Sequence, residues 1–138
     1  MDDIILERDT PVQVMKLSDD EQAMMNEIYQ RGPISCSISD PDTLIDYTYG
    51  IYFDTTGQTQ EDHVVSVVGW GEENGVKFWR VRNSWGSHWG MDGFFKVVRG
   101  VNNINIEGDC DFGVPLDTWT DNVKHITTDA ERNDPLND

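Results

Sequence analysis

A run of β-branched residues followed by a tight-turn sequence constrains the fold of this 138-residue chain more than any other feature. Val64–Val68 contains four valines in five residues, and β-branched side chains are typical of strands. Glu72–Gly75 ends in an Asn-Gly pair, which favours a two-residue hairpin turn. Val76–Arg82 is rich in branched and aromatic residues and predicts the returning strand. We therefore expect a β-hairpin whose first strand, Val64–Val68, is buried.

One helix is predicted before the hairpin. Ser18 is a candidate N-cap with Glu21 three positions further on, and this pair is typical of a helix start. Apolar residues then recur at helical spacing, so the helix is expected to run to about Gln30. Gly32 and Pro33 end it, because proline cannot continue the helical hydrogen-bond ladder.

Short β-like segments complete the predicted fold. Strands are expected at Ile34–Ile38, Gly50–Phe53 and Phe94–Val98, with a short helical turn at Thr43–Tyr47. The fold class is therefore α+β, an antiparallel sheet with one long helix. Composition divides the chain into an extended N-terminal segment (1–17), a folded domain (18–115) and an acidic tail (116–138) that is exposed or bound to a partner.

The chain is strongly acidic, with a formal net charge of −16 and an isoelectric point near 4.2. Such a charge repels phosphate backbones and anionic lipid surfaces, so we expect no nucleic-acid partner. No apolar stretch approaches the ~20 residues that a membrane-spanning helix needs, so we expect no membrane insertion. Met1–Asp3 begins neither a basic nor an apolar region, and we expect no signal peptide.

The cysteines and histidines give no sign of a metal site. Cys36 and Cys110 are too few for a disulfide scaffold, and their spacing does not decide whether they pair. His63, His88 and His125 do not form an arrangement such as His-x-x-x-His, and there is no Cys-x-x-Cys, so we predict no metal ion and no cofactor. His88 is expected at the surface.

A histidine at a strand end and an asparagine twenty residues later are the candidates for catalytic chemistry. His63 precedes the valine-rich strand, and Asn83 follows the returning strand in the run Asn-Ser-Trp-Gly-Ser-His-Trp-Gly. An asparagine on a neighbouring strand can accept the imidazole N–H, which fixes the tautomer so that the other ring nitrogen faces a nucleophile. Trp85 beside that bond would keep water away from it.

These two segments resemble the second half of the papain and cathepsin cysteine peptidases, and the likeness is nearest to cathepsin X, also called cathepsin Z. Glu27–Cys36, Tyr47–Tyr52 and Asn105–Gly113 carry the resemblance further along the chain. It extends from about Leu17 to Pro115. The fold that it implies is the right-hand, β-rich half of the two-part papain-like fold.

The resemblance also implies residue roles. His63 is then the catalytic imidazole, Asn83 orients it, and Trp85 shields their contact, while Cys36 and Cys110 match a structural disulfide of the subgroup. That subgroup is known for carboxypeptidase activity in acidic lysosomal compartments. The resemblance therefore implies a lysosomal or secretory location, whereas the absence of a visible signal peptide favours an intracellular one, and the location stays open.

The chain departs from the family at the nucleophile. The family's cysteine stands in a Gly-Ser-Cys-Trp context at a helix start, which does not occur in these residues. Cys36 lies in a predicted strand and Cys110 in a predicted acidic loop between Asp109 and Asp111, where carboxylates disfavour a reactive thiolate. We therefore expect the chain to be inactive by itself.

Two hypotheses follow. In the first, the chain contributes the histidine and asparagine of a working peptidase, whose nucleophile-bearing half covers the cleft face and whose substrate is a peptide. In the second, it is a catalytically dead peptidase-like domain retained as a structural or binding subunit of a larger assembly. Both predict another protein chain on the cleft face, because an exposed apolar docking face would favour aggregation.

Overall fold

The strands and helices are taken from a computed structural model, which describes residues 13–114 of the chain. Met15–Phe112 forms one compact unit, and the candidate site lies within it. Most of the predicted N-terminal segment (1–17) and all of the predicted acidic tail (116–138) lie outside the described residues. The domain boundaries therefore stay predictions.

Seven strands form one sheet within residues 13–114. They are β1 (Gln13–Lys16), β2 (Ile34–Ile38), β3 (Ile51–Tyr52), β4 (His63–Glu73), β5 (Val76–Arg82), β6 (Phe94–Val98) and β7 (Cys110–Val114). The helices are α1 (Glu21–Arg31) and α2 (Asp42–Ile45), and a 3-10 turn spans Asn103–Asn105. Across the sheet the strands follow the order β1-β7-β2-β4-β5-β6-β3. This arrangement confirms the predicted α+β class with one long helix.

The predicted hairpin is present and forms the centre of the sheet. β4 and β5 pair antiparallel, with Trp70 opposite Trp79. Asn74 and Gly75 connect them with φ angles of 50° and 80°. These left-handed values match the twist of the flanking strands, and they explain why an Asn-Gly pair stands at the turn. The strand bounds predicted for β2, β5 and β6 are likewise confirmed.

The first strand of the hairpin is not buried on both faces, contrary to the prediction. Val65 and Val67 are buried, but Val64 is 59% exposed. The alternation arises because successive side chains of a strand point to opposite faces. Only one face of β4 packs into the core, so a run of valines was an unreliable sign of complete burial.

Helix α1 begins two residues later than the sequence pattern indicated. Asp20, not Ser18, is its N-cap: its backbone is extended and its carboxylate accepts from the Gln22 N–H at 3.1 Å. At the other end, the N–H of Gly32 donates to the carbonyl oxygen of Ile28 at 3.0 Å. Gly32 has a φ of 104°, a value that glycine adopts without strain.

The sequence analysis predicted an antiparallel sheet, and one pair of strands differs from that prediction. β3 pairs with β6 in parallel, with Ile51 opposite Lys96 and Tyr52 opposite Val97. The β4–β5 hairpin lies between them in the chain, and such a long connection allows two strands to run in the same direction. Cys110 begins β7 and does not lie in a loop, and its strand pairs with β2.

One hydrophobic cluster joins α1 to the buried face of the sheet. Met24 of α1 and Trp79, Val81 and Phe95 of the sheet are completely buried. The indole N–H of Trp79 donates to the Glu107 carboxylate at 2.9 Å, so its polar atom is satisfied inside the cluster. This core supports the strand ends at which the candidate site is found.

Candidate active site

The hairpin brings His63 and Asn83 together. His63 is the first residue of β4 and Asn83 directly follows β5, so antiparallel pairing places them at the same end of the hairpin. The His63 Nε2 atom lies 2.8 Å from Asn83 Oδ1. An amide oxygen can only accept a hydrogen bond, so we assign the proton of the neutral ring to Nε2. Nδ1 is then a lone-pair acceptor that can take a proton from a reacting group.

Asn83 is itself held in place. Its side chain is almost fully buried, and Oδ1 also accepts from the Ser84 N–H at 2.8 Å. Its backbone N–H donates to the carbonyl oxygen of Gly93 at 3.0 Å. The sequence pattern did not reveal these two supporting contacts, because they come from backbone atoms, which every residue type carries.

Trp85 stacks on the imidazole of His63. The ring centroids are 5.2 Å apart and the planes differ by 21°. Trp89 packs edge-on against Trp85 at 4.9 Å, and its indole N–H donates to the carbonyl oxygen of Ile45 at 2.9 Å. The two tryptophans therefore limit the movement of the His63 ring and cover one of its faces.

The backbone conformation of the turn between Trp89 and β6 explains why glycines stand there. Gly90 has a φ of 59°, and a Cβ at this position would lie 2.6 Å from the carbonyl oxygen of Phe94. The N–H of Gly93 donates to the carbonyl oxygen of Trp89 at 2.8 Å, which closes the turn. His88 lies exposed on this turn, as expected.

Two aspartates lie close to His63, and the sequence analysis selected neither of them. Asp62 directly precedes the histidine, and its N–H donates to the carbonyl oxygen of Ile38 at 3.1 Å. Asp40 follows β2, and its N–H donates to Asp62 Oδ1 at 2.8 Å. Burial raises the pKa of Asp40, the positive charge of His63 opposes this, and the carboxylates of Asp62 and Asp42 add to it. No periodicity links Asp40 to His63.

Cys36 and Cys110 form a disulfide between β2 and β7. Both residues are buried, with 0% and 3% of their surface exposed. The chain contains only these two cysteines, so its 138 residues offer no free thiol. The site thus holds an oriented imidazole, and these 138 residues provide no free thiol beside it.

Within the described part of the chain, no group of three or more histidine, cysteine or carboxylate side chains is arranged to hold a metal ion. Among the same residues, no helix is both long and apolar enough to cross a membrane.

The chain is similar in sequence to known peptidases. A family model for papain family cysteine proteases matches residues 6–114. The chain is 35% identical over 99 residues to cathepsin B-like cysteine proteinase 6 of Caenorhabditis elegans, covering 72% of this chain and 26% of that protein. Cathepsin B-like cysteine proteinase 3 of the same organism is 41% identical over 91 residues, covering 66% and 25%. The chain thus spans about a quarter of the length of these relatives.

Solved structures agree with the sequence comparison. Digestive procathepsin L 3 from the larval midgut of Tenebrio molitor superposes with a TM-score of 0.71 at 34% identity, over 74% of this chain and 34% of that one. The procathepsin L2 proteinase of the same tissue gives 0.71 at 32%, over 74% and 33%. The sheet therefore corresponds to the β-rich half of the papain-like fold. These relatives are cathepsin B-like cysteine proteinases and L-type procathepsins. They do not show that the chain belongs to the narrower cathepsin X/Z subgroup. The chain belongs to the papain family of cysteine proteases.

Proposed function

We propose that this chain supplies the histidine–asparagine half of a cysteine peptidase active site and that the thiol comes from residues outside these 138. The observation that carries the proposal is the His63 Nε2–Asn83 Oδ1 bond of 2.8 Å, which leaves Nδ1 available. Trp85 stacked on the same ring supports it, because a histidine held on two sides can meet a reacting group in one orientation.

The chemistry assigned to these residues is acyl transfer. Nδ1 of His63 accepts the proton of the thiol, and the thiolate attacks the peptide carbonyl carbon. The imidazolium then gives that proton to the leaving amine as the C–N bond breaks, which leaves a thioester. His63 next removes a proton from water, the resulting hydroxide attacks the thioester, and the thiol is restored. Asn83 Oδ1 accepts the hydrogen bond from Nε2–H throughout and stabilises the positively charged ring.

The first experiment compares the purified chain alone with the chain combined with a nucleophile-bearing papain-family half. A thiol-directed epoxide is expected to label the combination and to abolish its peptide hydrolysis, while the chain alone is neither labelled nor active. The physical reason is that both cysteines of the chain are joined in a buried disulfide. Labelling of the chain alone at Cys36 or Cys110 would contradict the proposed division of roles.

The same experiment tests the narrower proposal of a carboxypeptidase of the cathepsin X/Z type. The sequence resemblance over Glu27–Cys36 and Asn105–Gly113 supports it. A carboxypeptidase of this type hydrolyses peptides with a free C-terminal carboxylate much faster than the matching C-terminal amides. Equal rates for the two would contradict the carboxypeptidase proposal and leave the general peptidase proposal intact.

A surface groove beside Asn83 is the proposed docking site for the nucleophile-bearing half. Its volume is about 500 Å³. The lining residues include Pro33, Ser35, Val64, Ser66, Arg82 and Asn83. Val64 is 59% exposed there, and such an apolar side chain beside a catalytic pair fits a surface that a partner covers.

Val64→Asp is expected to weaken binding of the nucleophile-bearing half by at least ~10-fold, because the complex would bury an unpaired charge. Val76→Asp is the matched control, since Val76 is a 43% exposed valine of the same hairpin that does not line the groove. Binding is measured by calorimetry. Equal losses for the two variants would place the partner elsewhere.

A retained, catalytically inactive subunit is the second candidate function. The observation that favours it is the absence of any free thiol in the 138 residues. If the groove binds a protein that has no reactive cysteine, this candidate replaces the first.

A further inference from the structure

Arg80 and Arg82 have no carboxylate partner in the described part of the chain. The other lysines and arginines of residues 13–114 each form an ion pair: Lys16, Arg31, Lys77, Lys96 and Arg99. Arg80 and Arg82 are exposed and lie two residues apart on β5, so both project from the same face of the sheet. In a chain with a net charge of −16, this leaves a local positive charge on one face of the hairpin.

The neighbouring strands offer Arg82 no acidic group. Its register partners are Ser66 on β4 and Phe94 on β6, and neither carries a charge. Ser35 on β2 stands opposite Ser66, and Asp111 on β7 stands opposite Ser35. The carboxylate of this row is therefore three strands from Arg82, or roughly 14 Å between backbones. The row gives Arg82 no partner of opposite charge within reach.

Arg82 differs from Arg80 in its position relative to the groove. Arg82 lines the groove beside Asn83, whereas Arg80 lies outside it, with its guanidinium carbon 5.2 Å from the centroid of the Phe94 ring. None of the residues that line the groove is acidic. Asn83 adds a second donor, because its buried Nδ2 atom has no hydrogen-bond partner in the described part of the chain. Two neighbouring residues of the groove wall are thus left without an acceptor from residues 13–114.

We propose that Arg82 binds a carboxylate side chain of the nucleophile-bearing half, and that this ion pair fixes the half beside His63 and Asn83. The inference rests on the proposed function, in which that half covers the groove. Covering the groove removes water from the Arg82 guanidinium, and a buried charge without a partner is strongly destabilising. A carboxylate compensates for the lost water, because its two oxygens match two parallel N–H groups of the guanidinium.

Solvation alone accounts for Arg80 but not for Arg82. Arg80 lies outside the groove and keeps its contact with water when the groove is covered. Arg82 directly precedes Asn83, so a half that reaches the candidate catalytic pair across the groove also covers Arg82. Since Asn83 holds the His63 ring, a contact at Arg82 also sets the position of the incoming thiol relative to the imidazole.

The first test titrates the nucleophile-bearing half into Arg82→Gln and Arg80→Gln by calorimetry. Arg82→Gln is expected to weaken binding about 30-fold or more, because it leaves the carboxylate of the half buried and unpaired. Arg80→Gln is the matched control: it removes the same charge from the same face of β5 and changes the affinity at most about 3-fold. Neither arginine forms an ion pair within residues 13–114, so both variants should keep the thermal midpoint of the free chain. Equal losses of affinity in the two variants overturn the inference.

The second test identifies the carboxylate. Arg82→Lys keeps the positive charge and introduces a primary amine, which a carbodiimide joins as an amide to a carboxylate in contact with it. The assembled protein is expected to show a cross-link from position 82 to an aspartate or glutamate of the nucleophile-bearing half, found by mass spectrometry after digestion. Arg80→Lys is the control and should give no such cross-link. If position 82 gives no cross-link, or only one within this chain, the inference is wrong.

The outcomes separate this inference from the proposed function. If the half binds and reacts with the epoxide, but Arg82→Gln binds it as tightly as the wild type, the peptidase proposal stands and the ion pair falls. If the half binds through Arg82 but shows neither labelling nor hydrolysis, the ion pair stands and the peptidase proposal falls. If Arg82→Gln assembles normally and raises KM only for peptides with a free C-terminal carboxylate, the carboxylate belongs to the substrate and the docking role is overturned. A half that does not bind the wild-type chain overturns both.

Discussion

Replacing His63 with alanine is expected to lower kcat of the assembled peptidase on the order of 10³-fold, with a much smaller change in KM. The ring is the acceptor and donor of every proton in the proposed reaction, and alanine cannot replace it. Its removal leaves Asn83 Oδ1 with the Ser84 N–H as a partner, so the fold should persist. Kinetics with a fluorogenic peptide and a circular dichroism spectrum measure the two effects.

His88→Ala is the matched control for this prediction. It removes the same side chain from an exposed position three residues beyond Trp85, and neither the rate nor the fold should change. If His63→Ala retained more than a tenth of the wild-type kcat, the histidine would not be the general base. If both variants lost activity alike, the loss would come from the turn and not from proton transfer.

Removal of the disulfide should cause the largest loss of stability. Replacing Cys36 and Cys110 together with alanine is expected to lower the free energy of unfolding by about 4 kcal/mol, on the chain-entropy model for a cross-link of this length. The cysteines are 74 residues apart, so the bond restricts a long loop of the unfolded chain. Denaturant unfolding of the oxidised protein and of the double variant measures the difference.

Ser35→Ala is a suitable control, because Ser35 is the exposed neighbour of Cys36 on β2. It should change the free energy of unfolding by less than about 0.5 kcal/mol. A loss below about 1 kcal/mol in the double cysteine variant would mean that the hydrophobic core alone holds β2 and β7 together. Cys36 stands opposite Val65 in the register of β2 and β4, two residues from His63. A small loss would therefore also mean that the disulfide is not needed to hold β2 beside the strand that carries His63.

The local elements of the fold could be predicted well because their causes are local. The Asn-Gly turn and the branched residues beside it specify the β4–β5 hairpin through backbone preferences of a few neighbouring residues. The N-cap of α1 is Asp20 and not the predicted Ser18, because serine and aspartate are both good capping residues and lie only two positions apart, so the local signal does not separate them. The exposure of Val64 was missed because a run of valines carries no information about which face is covered.

The candidate site was predictable only in part. The interval between His63 and Asn83 places both at one end of a hairpin, so their residue types and spacing were sufficient to select them. Their catalytic role was drawn from the family resemblance and stays a proposal. Asp40 was not selected, since it approaches His63 through the pairing of β2 with β4, and strand pairing between distant segments leaves no periodic pattern in the chain.

By itself, the sequence determined the hairpin, the long helix, the acidic character of the chain and the two side chains of the candidate pair, because these follow from neighbouring residues and from composition. The tertiary structure alone decided the parallel pairing of β3 with β6, the stacking of Trp85 on His63 and the approach of Asp40. Each of these joins segments that are distant in the chain. Which distant segments meet depends on how the whole core packs, and no stretch of residues specifies that alone.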